Sequence, residues 1–396
     1  MQIYVDNAAT TKMSQAAVRA MMPYFTTFYG NPSSLHSVGQ LAGEALVKAR
    51  DTVAKCLGCA PNEITFTSGG SEADNQAILS AAEIGRRKDK THIISTNFEH
   101  HAVLHTLEKL SKEGFKITLL DVSADGFVTP EQVANAMTDQ TCLVSVMYAN
   151  NEIGTIQPIR EIGELCREKG VLFHTDAVQA AGHVSIDVRE QNIDMLSLSG
   201  HKFHGPKGSG ALYVKKGIPL TNVINGGAQE RGKRAGTENV PAIVGMASAL
   251  EEACNKIPEN TAKLIAMRNR LIDGLSSIEH SILNGGIDKR LPGNVNFCFE
   301  GIEGESLLLL LDDKGICSSS GSACTSGSLD PSHVLLAIGR PHEIAHGSLR
   351  LSLSEYNTMD EIEYILDSVK EVVSYLRSIS PIWHDLVTGK SKFVIK

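Results

Sequence analysis

The sequence has no long apolar run, no excess of positive charge and no regular cysteine framework. The longest apolar run, Leu307–Leu311, is too short to span a bilayer, and the first 14 residues do not resemble a signal peptide. The formal net charge of −8 argues against nonspecific nucleic-acid binding, because phosphate contacts need a basic surface. We therefore expect a cytoplasmic protein that binds neither nucleic acid nor membrane directly.

The eight cysteines are scattered along the chain, and in the cytosol we expect them to be reduced. Cys56 and Cys59 form a C-x-x-C pair, but no second pair or histidine pair stands at zinc-ligand spacing. Cysteines that pack as small apolar side chains explain this pattern better than a metal does. The sequence therefore predicts no metal site.

Short β-rich runs alternate with helical stretches through the first two-thirds of the chain. A helical stretch such as Ile159–Glu168 carries apolar residues three apart, at 159, 162 and 165. The β-rich runs are Glu63–Thr67, His92–Ser95, Ile117–Leu120, Leu143–Met147, Val171–Phe173, Met195–Leu198 and Ala211–Val214. This alternation predicts an α/β fold, with a mainly parallel sheet covered by helices on both faces.

The order of elements changes after about residue 255. The predicted elements there are a helix at Thr261–Leu275, a strand at Val295–Phe299, a helix at Glu305–Leu311, a Ser/Gly-rich loop at Ser318–Ser328, a strand at Ser348–Ser352 and a helix at Met359–Ile379. We interpret this part as a smaller α+β domain. The predicted division is a large domain over residues 15–258 and a small domain made of residues 1–14 and 259–396.

Three segments with polar side chains follow predicted strands. After Thr67 a Gly-Gly-Ser turn leads into a helix start, where Ser71 could cap the helix and donate to a phosphate. A simple capped turn is the commoner meaning of such a pattern alone. Asp176 and Lys202 each follow a β-rich run, so we expect both at one edge of the sheet.

These segments together suit pyridoxal phosphate. Its aldehyde needs an amine such as Lys202, its pyridinium needs a carboxylate such as Asp176, and its phosphate needs a helix start with hydroxyls. His100 could stack on the ring, and the adjacent His101 is expected to point elsewhere. A strand-end turn remains an equal explanation of Asp176 taken alone.

Two further residues lie in the predicted small domain. Cys324 stands amid small residues in the Ser/Gly-rich loop, which suits a thiol that travels to a cofactor, although a linker with an incidental cysteine is the alternative. Arg350 lies within an apolar strand, where its planar fork suits an amino-acid carboxylate. A structural salt bridge explains Arg350 equally well.

The sequence resembles the cysteine desulfurases of the nitrogen-fixation and iron–sulfur-cluster type, within the class-V aminotransferase superfamily. The resemblance covers nearly the whole chain, and its most specific elements are Ser199-Gly-His-Lys and Ser320-Gly-Ser-Ala-Cys-Thr-Ser. Other matching segments are Asp6–Thr11, Gly30–Ser34, Thr67–Glu72, Glu99–His100, Asn150–Gly154, His174–Gln179 and Arg234–Thr237.

The resemblance implies the aspartate-aminotransferase-like fold (fold type I), with a seven-stranded sheet, and a homodimer. It implies that Lys202 is bonded to pyridoxal 5′-phosphate, that His100 stacks on the ring, and that Asp176 and Gln179 bind the ring nitrogen and hydroxyl. The implied phosphate ligands are Gly70, Ser71, Ser199 and His201, with Thr237 from the partner subunit. Asn151 and Arg350 would bind the carboxylate of the substrate.

The implied reaction converts L-cysteine to L-alanine and leaves a persulfide on Cys324. The catalytic residues would be Cys324, Lys202 and His100, and an iron–sulfur scaffold or another acceptor would receive the sulfur. An aminotransferase or selenocysteine lyase of the same fold, and a metal-binding sulfur-trafficking protein, are the alternatives.

Two positions depart from the family pattern. Ser71 stands where threonine is common, which keeps the hydroxyl. The tail from Trp383 to Lys396 lacks the ending of the housekeeping branch, whereas Arg234–Asn239 is similar to the nitrogen-fixation branch. These departures bear on the choice of the sulfur acceptor.

Overall fold

The computed structural model describes residues 2–320 and 331–395. Cys324 and residues 321–328 of the predicted Ser/Gly-rich loop lie outside the described residues. No helix in the part that the structure describes is long and apolar enough to cross a bilayer.

The chain alternates helices and strands. The helices in the described ranges are α1 (Gln15–Met21), α2 (Pro23–Thr26), α3 (Ser37–Leu57), α4 (Gly70–Arg86), α5 (His101–Lys112), α6 (Pro130–Ala136), α7 (Ile159–Lys169), α8 (Val240–Ser276), α9 (Gly304–Asp313), α10 (His333–Ala337), α11 (His342–Ala345), α12 (Met359–Ile379) and α13 (Pro381–Val387). The strands there are β1 (Ile3–Tyr4), β2 (Ile64–Thr67), β3 (His92–Thr96), β4 (Lys116–Leu120), β5 (Thr141–Ser145), β6 (Leu172–Asp176), β7 (Met195–Ser199), β8 (Gly210–Val214), β9 (Ser281–Leu283), β10 (Asn294–Phe299), β11 (Ile316–Cys317) and β12 (Ser348–Ser352).

Within residues 2–320 and 331–395, the large sheet has seven strands in the order β2-β8-β7-β6-β5-β3-β4. The pairs β3–β4, β3–β5, β5–β6 and β6–β7 are parallel, and β8 is antiparallel to both β2 and β7. The predicted α/β fold with a mainly parallel sheet is therefore confirmed. Its strands β2, β3, β5, β7 and β8 are buried on both faces, which is why they read as short continuous apolar runs.

The helices that cover the large sheet follow ordinary sequence rules. Helix α7 buries Ile159, Ile162 and Cys166 at helical spacing and ends at Gly170, whose φ of 64° is a left-handed conformation that favours glycine. Helix α4 begins directly after β2, so the turn between them lies at a sheet edge.

A smaller sheet lies in the second half of the chain. Its strands pair antiparallel in the order β12-β10-β9, and Asn296 of β10 stands opposite Arg350 of β12. The N-terminal strand β1 pairs in parallel with β11, so the first residues of the chain lie beside the second half. A core that includes Phe297, Phe299 and Leu351 packs beneath α8 and α12.

The predicted helix Thr261–Leu275 is longer in the structure. Helix α8 begins at Val240 and carries Pro258 in its interior. Proline usually ends a helix, which is why the sequence suggested a later start. Residues on both sides of Pro258, Leu250 and Leu264 among them, pack into different cores, and this burial holds the helix continuous. The division at residues 258 and 259 falls inside α8 and stays a prediction.

The C-terminal tail folds back onto the small sheet. The Glu300 carboxylate accepts hydrogen bonds from the backbone N–H groups of Val394 and Ile395, at 2.8 and 2.9 Å. The ring of Phe393 stacks on His280 with a centroid distance of 3.6 Å, and Ile395 is buried. The tail is thus held by backbone and side-chain contacts.

Candidate active site

A cavity of about 290 Å³ lies beyond the carboxyl ends of β5, β6 and β7. This is where a parallel α/β sheet places its ligands, because the strands end there and loops surround the edge. Every residue predicted to bind the cofactor or the substrate, apart from Thr237, lines this cavity: Gly70, Ser71, His100, Asn151, Asp176, Gln179, Ser199, His201, Lys202 and Arg350. Thr237 is exposed on the surface.

The turn before α4 forms one wall of the cavity. The helix starts at Gly70 with Gly69 at the N-cap position, so Ser71 does not cap the helix as expected and its hydroxyl remains available for a ligand. A second, more open cavity of about 420 Å³ adjoins this turn and is lined by Ser199, His201 and Lys207 as well. Backbone N–H groups, hydroxyls and cationic side chains suit a phosphate.

Lys202 lies in the turn between β7 and β8. The turn is closed at its base, because Ser199 pairs with Gly210 and the Gly200 N–H donates to the Ser209 carbonyl at 2.9 Å. The Lys202 amine donates to the carbonyl oxygens of Ala8 and Ala9, at 2.6 and 2.8 Å. The N-terminal segment therefore positions the amine in the cavity.

Asp176 is the last residue of β6 and is 5% exposed. Its Oδ1 accepts a hydrogen bond from the Val178 N–H at 2.9 Å. Burial raises the pKa of Asp176 to about 6, and the Val178 N–H and the Lys202 charge oppose this rise. A cationic ring nitrogen beside Asp176 would favour the charged carboxylate further.

His100 precedes α5 and caps it. Its Nδ1 accepts a hydrogen bond from the Ala102 N–H at 3.1 Å, so the proton of the neutral ring lies on Nε2. Burial, and then the Lys202 charge, lower the pKa of His100 to about 4. The ring is therefore neutral at physiological pH and presents an N–H donor together with an aromatic face.

The expectation that His101 points away from the site is wrong. His101 also lines the cavity, and its ring lies 4.7 Å from that of His333 and 5.1 Å from that of His105. The ring contacts with α10 and with the next turn of α5 hold His101 toward the cavity, and no sequence pattern in α5 shows that contact. In the described ranges, no three acidic, histidine or cysteine side chains are placed to hold a metal ion.

Arg350 is buried in β12 and combines the two explanations that the sequence left open. Its guanidinium forms an ion pair with Asp6 at 2.7 Å and donates to the Asn151 carbonyl at 3.2 Å. It also lines the cavity, so a carboxylate there would meet the same fork. Gln179 donates to the Ala8 carbonyl at 2.9 Å, which fixes its amide at the edge of the cavity.

Three buried acids near the cavity were given no role in the sequence analysis. Asp74, Glu99 and Glu152 are each at most 2% exposed. Asp74 stands four residues after Gly70 on α4, and its neighbours Ala73 and Ala77 are apolar. An acidic residue among apolar residues on one face of a predicted helix is the sequence signal that could have identified Asp74.

The ends of the undescribed segment can be placed through their neighbours. Ser319 exchanges two backbone hydrogen bonds with Arg350, and the Ser320 carbonyl accepts from the Ser348 hydroxyl at 2.6 Å. On the far side, His333 lines the cavity and its Nε2 lies 2.9 Å from the Glu99 carbonyl. Residues 321–330, which include Cys324, thus connect two points that lie at or beside the cavity.

The donor set of the cavity fits pyridoxal phosphate. The cavity brings together the Lys202 amine, the buried Asp176 carboxylate at a strand end, the neutral His100 imidazole and a helix start with nearby hydroxyls. These groups match the aldehyde, the ring nitrogen, the ring face and the phosphate.

Comparison with known proteins agrees with this geometry. The aminotransferase class-V family matches residues 3–365. Cysteine desulfurase IscS of Clostridium botulinum is 56% identical over 394 residues, which is 99% of both chains.

Two solved structures are also similar. A NifS-like protein has a TM-score of 0.89 at 39% identity, covering 95% of this chain and all of that one. SspA in complex with cysteine has a TM-score of 0.79 at 37% identity, covering 90% of this chain and all of that one. The chain belongs to the class-V aminotransferase family and, within it, to the pyridoxal-phosphate-dependent cysteine desulfurases.

Proposed function

We propose that this chain converts L-cysteine to L-alanine and takes the sulfur onto Cys324 as a persulfide. The observation that carries the proposal is the cavity that holds Lys202, Asp176 and His100, with residues on both sides of the Cys324 segment at or beside it. The relative solved with cysteine bound supports the substrate.

The proposed roles follow from chemistry and position. When bound, pyridoxal phosphate supplies an electron sink that acidifies the Cα–H of the amino acid. Asp176 keeps the ring nitrogen protonated, and Arg350 with Asn151 holds the substrate carboxylate. The Lys202 amine removes the Cα proton, because it is the basic side chain carried by the turn at this cavity.

The sulfur step balances within the proposed reaction. The Cys324 thiolate attacks the sulfur of the substrate, and a sulfur–sulfur bond forms as the carbon–sulfur bond breaks. The electron pair of the broken bond goes to the substrate carbon, which takes up a proton to become the methyl group of alanine. His100 stacks on the cofactor ring and donates a hydrogen bond from its Nε2–H group. Its Nδ1 is not available, because it already accepts from the Ala102 N–H at the start of α5.

The test compares two cysteines on one protein. We expect Cys324→Ser to keep the yellow cofactor band but to form no alanine from cysteine. The matched control is Cys317→Ser, on β11 at the start of the same region, which should retain activity. Substantial alanine formation by Cys324→Ser would contradict the persulfide route.

A second measurement addresses the cofactor attachment. Borohydride reduction of the holoprotein followed by peptide mapping should place the cofactor on Lys202, and mapping after exposure to cysteine should find one extra sulfur on Cys324. Reduced cofactor on another lysine would overturn the assignment of Lys202.

We also propose an iron–sulfur scaffold as the sulfur acceptor, with other thio-cofactor pathways as further destinations, because the similar protein from Clostridium botulinum carries the name IscS. Transfer of labelled sulfur from the holoenzyme to a purified scaffold protein tests this directly. A cytoplasmic location is part of the proposal, since a reactive free thiol at Cys324 needs a reducing compartment.

The remaining proposal is a homodimer. Apolar side chains between α1 and α2, on α2 and in the segment that follows are exposed, namely Met22, Phe25, Tyr29 and Leu35 at 55–92%. Such a concentration of exposed apolar side chains is typical of a protein interface. Thr237 is exposed and away from this chain's own cavity, which suits a role in the phosphate site of the partner subunit.

A further inference from the structure

Three buried carboxyl groups lie at or beside the cavity. They come from different elements: Asp74 from α4, Glu99 from the residue before His100, and Asp176 from the end of β6. Their exposures are 1%, 0% and 5%. Asp74 and Asp176 both line the cavity, whereas the proposed reaction uses Asp176 alone.

Asp74 has no cationic partner among the described residues. Within 4 Å of its carboxylate, the basic side chain in the described ranges is His174, whose Nε2 lies 3.6 Å from Oδ1 of Asp74. Burial lowers the pKa of His174 to about 3, so this ring is neutral. Oδ1 of Asp74 is buried without a hydrogen-bond partner in the described chain. A charge left there would be uncompensated.

The negative charge of Asp176 is stabilised by neighbouring groups, whereas a charge on Asp74 would have no cationic partner among the described residues. Asp176 accepts from the Val178 N–H and is stabilised by the Lys202 amine. Buried carboxyl groups that repel one another do not all ionise, and the proton remains on the group whose charge is less well stabilised. Burial, and then the charge of Asp176, raise the pKa of Asp74, while the Ser197 hydroxyl opposes this rise. Burial also raises the pKa of Glu99 to about 8, so Glu99 is mostly protonated near pH 7.

We propose that Asp74 is a positioning residue that keeps its proton in the holoenzyme, so that Asp176 alone carries the negative charge for the ring nitrogen. The proposal rests on the assignment of Asp176 to the ring nitrogen. It gives the second acid a definite state: Asp74 is a neutral hydrogen-bonding group in the wall of the cofactor site, and it adds no second charge.

A chain of hydrogen bonds makes this state measurable. His174 contacts the Ser197 hydroxyl through Nε2 at 3.0 Å and the Ser145 hydroxyl through Nδ1 at 2.9 Å. The Ser197 hydroxyl acts on the pKa of Asp74 and contacts His174. In the proposed state, protonated Asp74 donates to Ser197, the Ser197 hydroxyl donates to Nε2, and the His174 proton stays on Nδ1. An ionised Asp74 reverses the chain and places that proton on Nε2.

The first experiment follows the visible cofactor band of the holoenzyme against pH. Asp74→Asn replaces one neutral group with another, so the pH midpoint of the cofactor band should shift by less than about 0.3 pH unit in this variant. In Asp176→Asn the same midpoint should shift by more than about one pH unit. Groups that face Asp74 from other elements are Asp176, Glu99 and His174, and they are unchanged in Asp74→Asn.

The outcomes are distinguishable. A large shift in Asp176→Asn alone supports the proposal. Comparable shifts in both variants contradict the proposal that Asp74 is protonated, but they leave the assignment of Asp176 to the ring nitrogen in place. The absence of a shift in Asp176→Asn overturns the assignment of Asp176, and the proposal with it.

The second experiment reports the protonation state in the wild-type holoenzyme itself. Nitrogen NMR of the wild-type holoenzyme with labelled histidine should report His174 as the Nδ1–H tautomer, with Asp74→Asn serving only to assign signals near the site. Infrared difference spectra should show one protonated carboxyl band lost in Asp74→Asn and another, from Glu99, lost in Glu99→Gln. An Nε2–H tautomer, or no band lost in Asp74→Asn, overturns the proposal.

Discussion

Arg350 shows how one buried side chain serves both the fold and the substrate. Its guanidinium is held by Asp6 and the Asn151 carbonyl, yet it still faces the cavity. A lysine at this position keeps the charge and loses the planar fork.

We therefore expect Arg350→Lys to raise KM for L-cysteine about ten- to hundredfold, since a charged hydrogen bond contributes about 1.5–3 kcal/mol. The cofactor band should be unchanged. Steady-state alanine formation over a range of cysteine concentrations measures this, and Arg340→Lys, outside the cavity, is the control. An unchanged KM for Arg350→Lys would show that the fork serves the fold alone.

At the scale of elements, the turn that carries Lys202 is tied to the residues after β12. The His204 ring lies 3.1 Å from the Glu355 carboxylate and 2.7 Å from the Lys12 carbonyl. Burial works against protonation of His204, but the hydrogen bond and charge of Glu355 raise the pKa of His204 above its ordinary value. Burial likewise opposes ionisation of Glu355, but His204 lowers the pKa of Glu355 to about 2.

This pair should stabilise the fold within a defined pH window. The raised pKa of His204 means that its contribution is complete below about pH 6.5 and is lost as pH rises through the folded pKa. The lowered pKa of Glu355 means that its contribution is complete above about pH 4.5 and is lost as pH falls toward 2.

His204→Asn should therefore cost about 1.5–3 kcal/mol in the free energy of unfolding near pH 6 and clearly less near pH 9. Asparagine tolerates the positive φ of 65° at this position. Urea unfolding at the two pH values measures the difference. Glu363→Gln, which breaks the exposed pair with Arg270, is the control and should change little. Equal costs at both pH values would mean that the His204 charge contributes nothing.

Gly210 sets how closely β8 approaches the turn before α4. A Cβ at Gly210 would lie 2.7 Å from the Gly69 backbone and from the Leu198 carbonyl, so one strand must move. Gly210→Ala should lower the free energy of unfolding by about 1–3 kcal/mol and speed cofactor release, because Gly69 precedes the phosphate-facing helix start.

Urea unfolding of the cofactor-free protein and the release rate of the cofactor from the holoprotein measure the two effects. The matched control is Gly43→Ala on α3, where a Cβ has room and alanine favours the helix. Unchanged cofactor release in Gly210→Ala would show that the close approach of Gly210 to Gly69 does not affect cofactor binding.

The elements that sequence patterns predicted are those with strong local signals. The strands of the large sheet are buried, so their apolar runs were unambiguous, and Asp176 and Lys202 could be placed because each follows such a run. Helix α8 was predicted too short because its continuity past Pro258 depends on packing against two cores. Likewise, the contact of Lys202 with the carbonyls of Ala8 and Ala9 joins residues nearly 200 positions apart, which no local pattern reveals.

At the scale of the whole molecule, the exposed apolar side chains between Met22 and Leu35 predict the assembly. The double variant Phe25→Glu with Leu35→Glu should sediment as a monomer and lose cofactor more readily, because the phosphate site would lack Thr237 of the partner subunit. Ile379→Glu, an equally exposed position on α12, is the control and should remain dimeric. A wild-type protein that sediments as a monomer would contradict the homodimer.

The reversed strand β8 gives the reactive amine a fixed base. Because β7 and β8 form a hairpin, both ends of the turn that carries Lys202 are fastened within the same sheet. Binding and releasing a ligand at this amine then requires only rotations about the bonds of the flexible Lys202 side chain, while the main chain stays in place. Each turnover can thus begin from the same geometry as the last, without refolding of the loop.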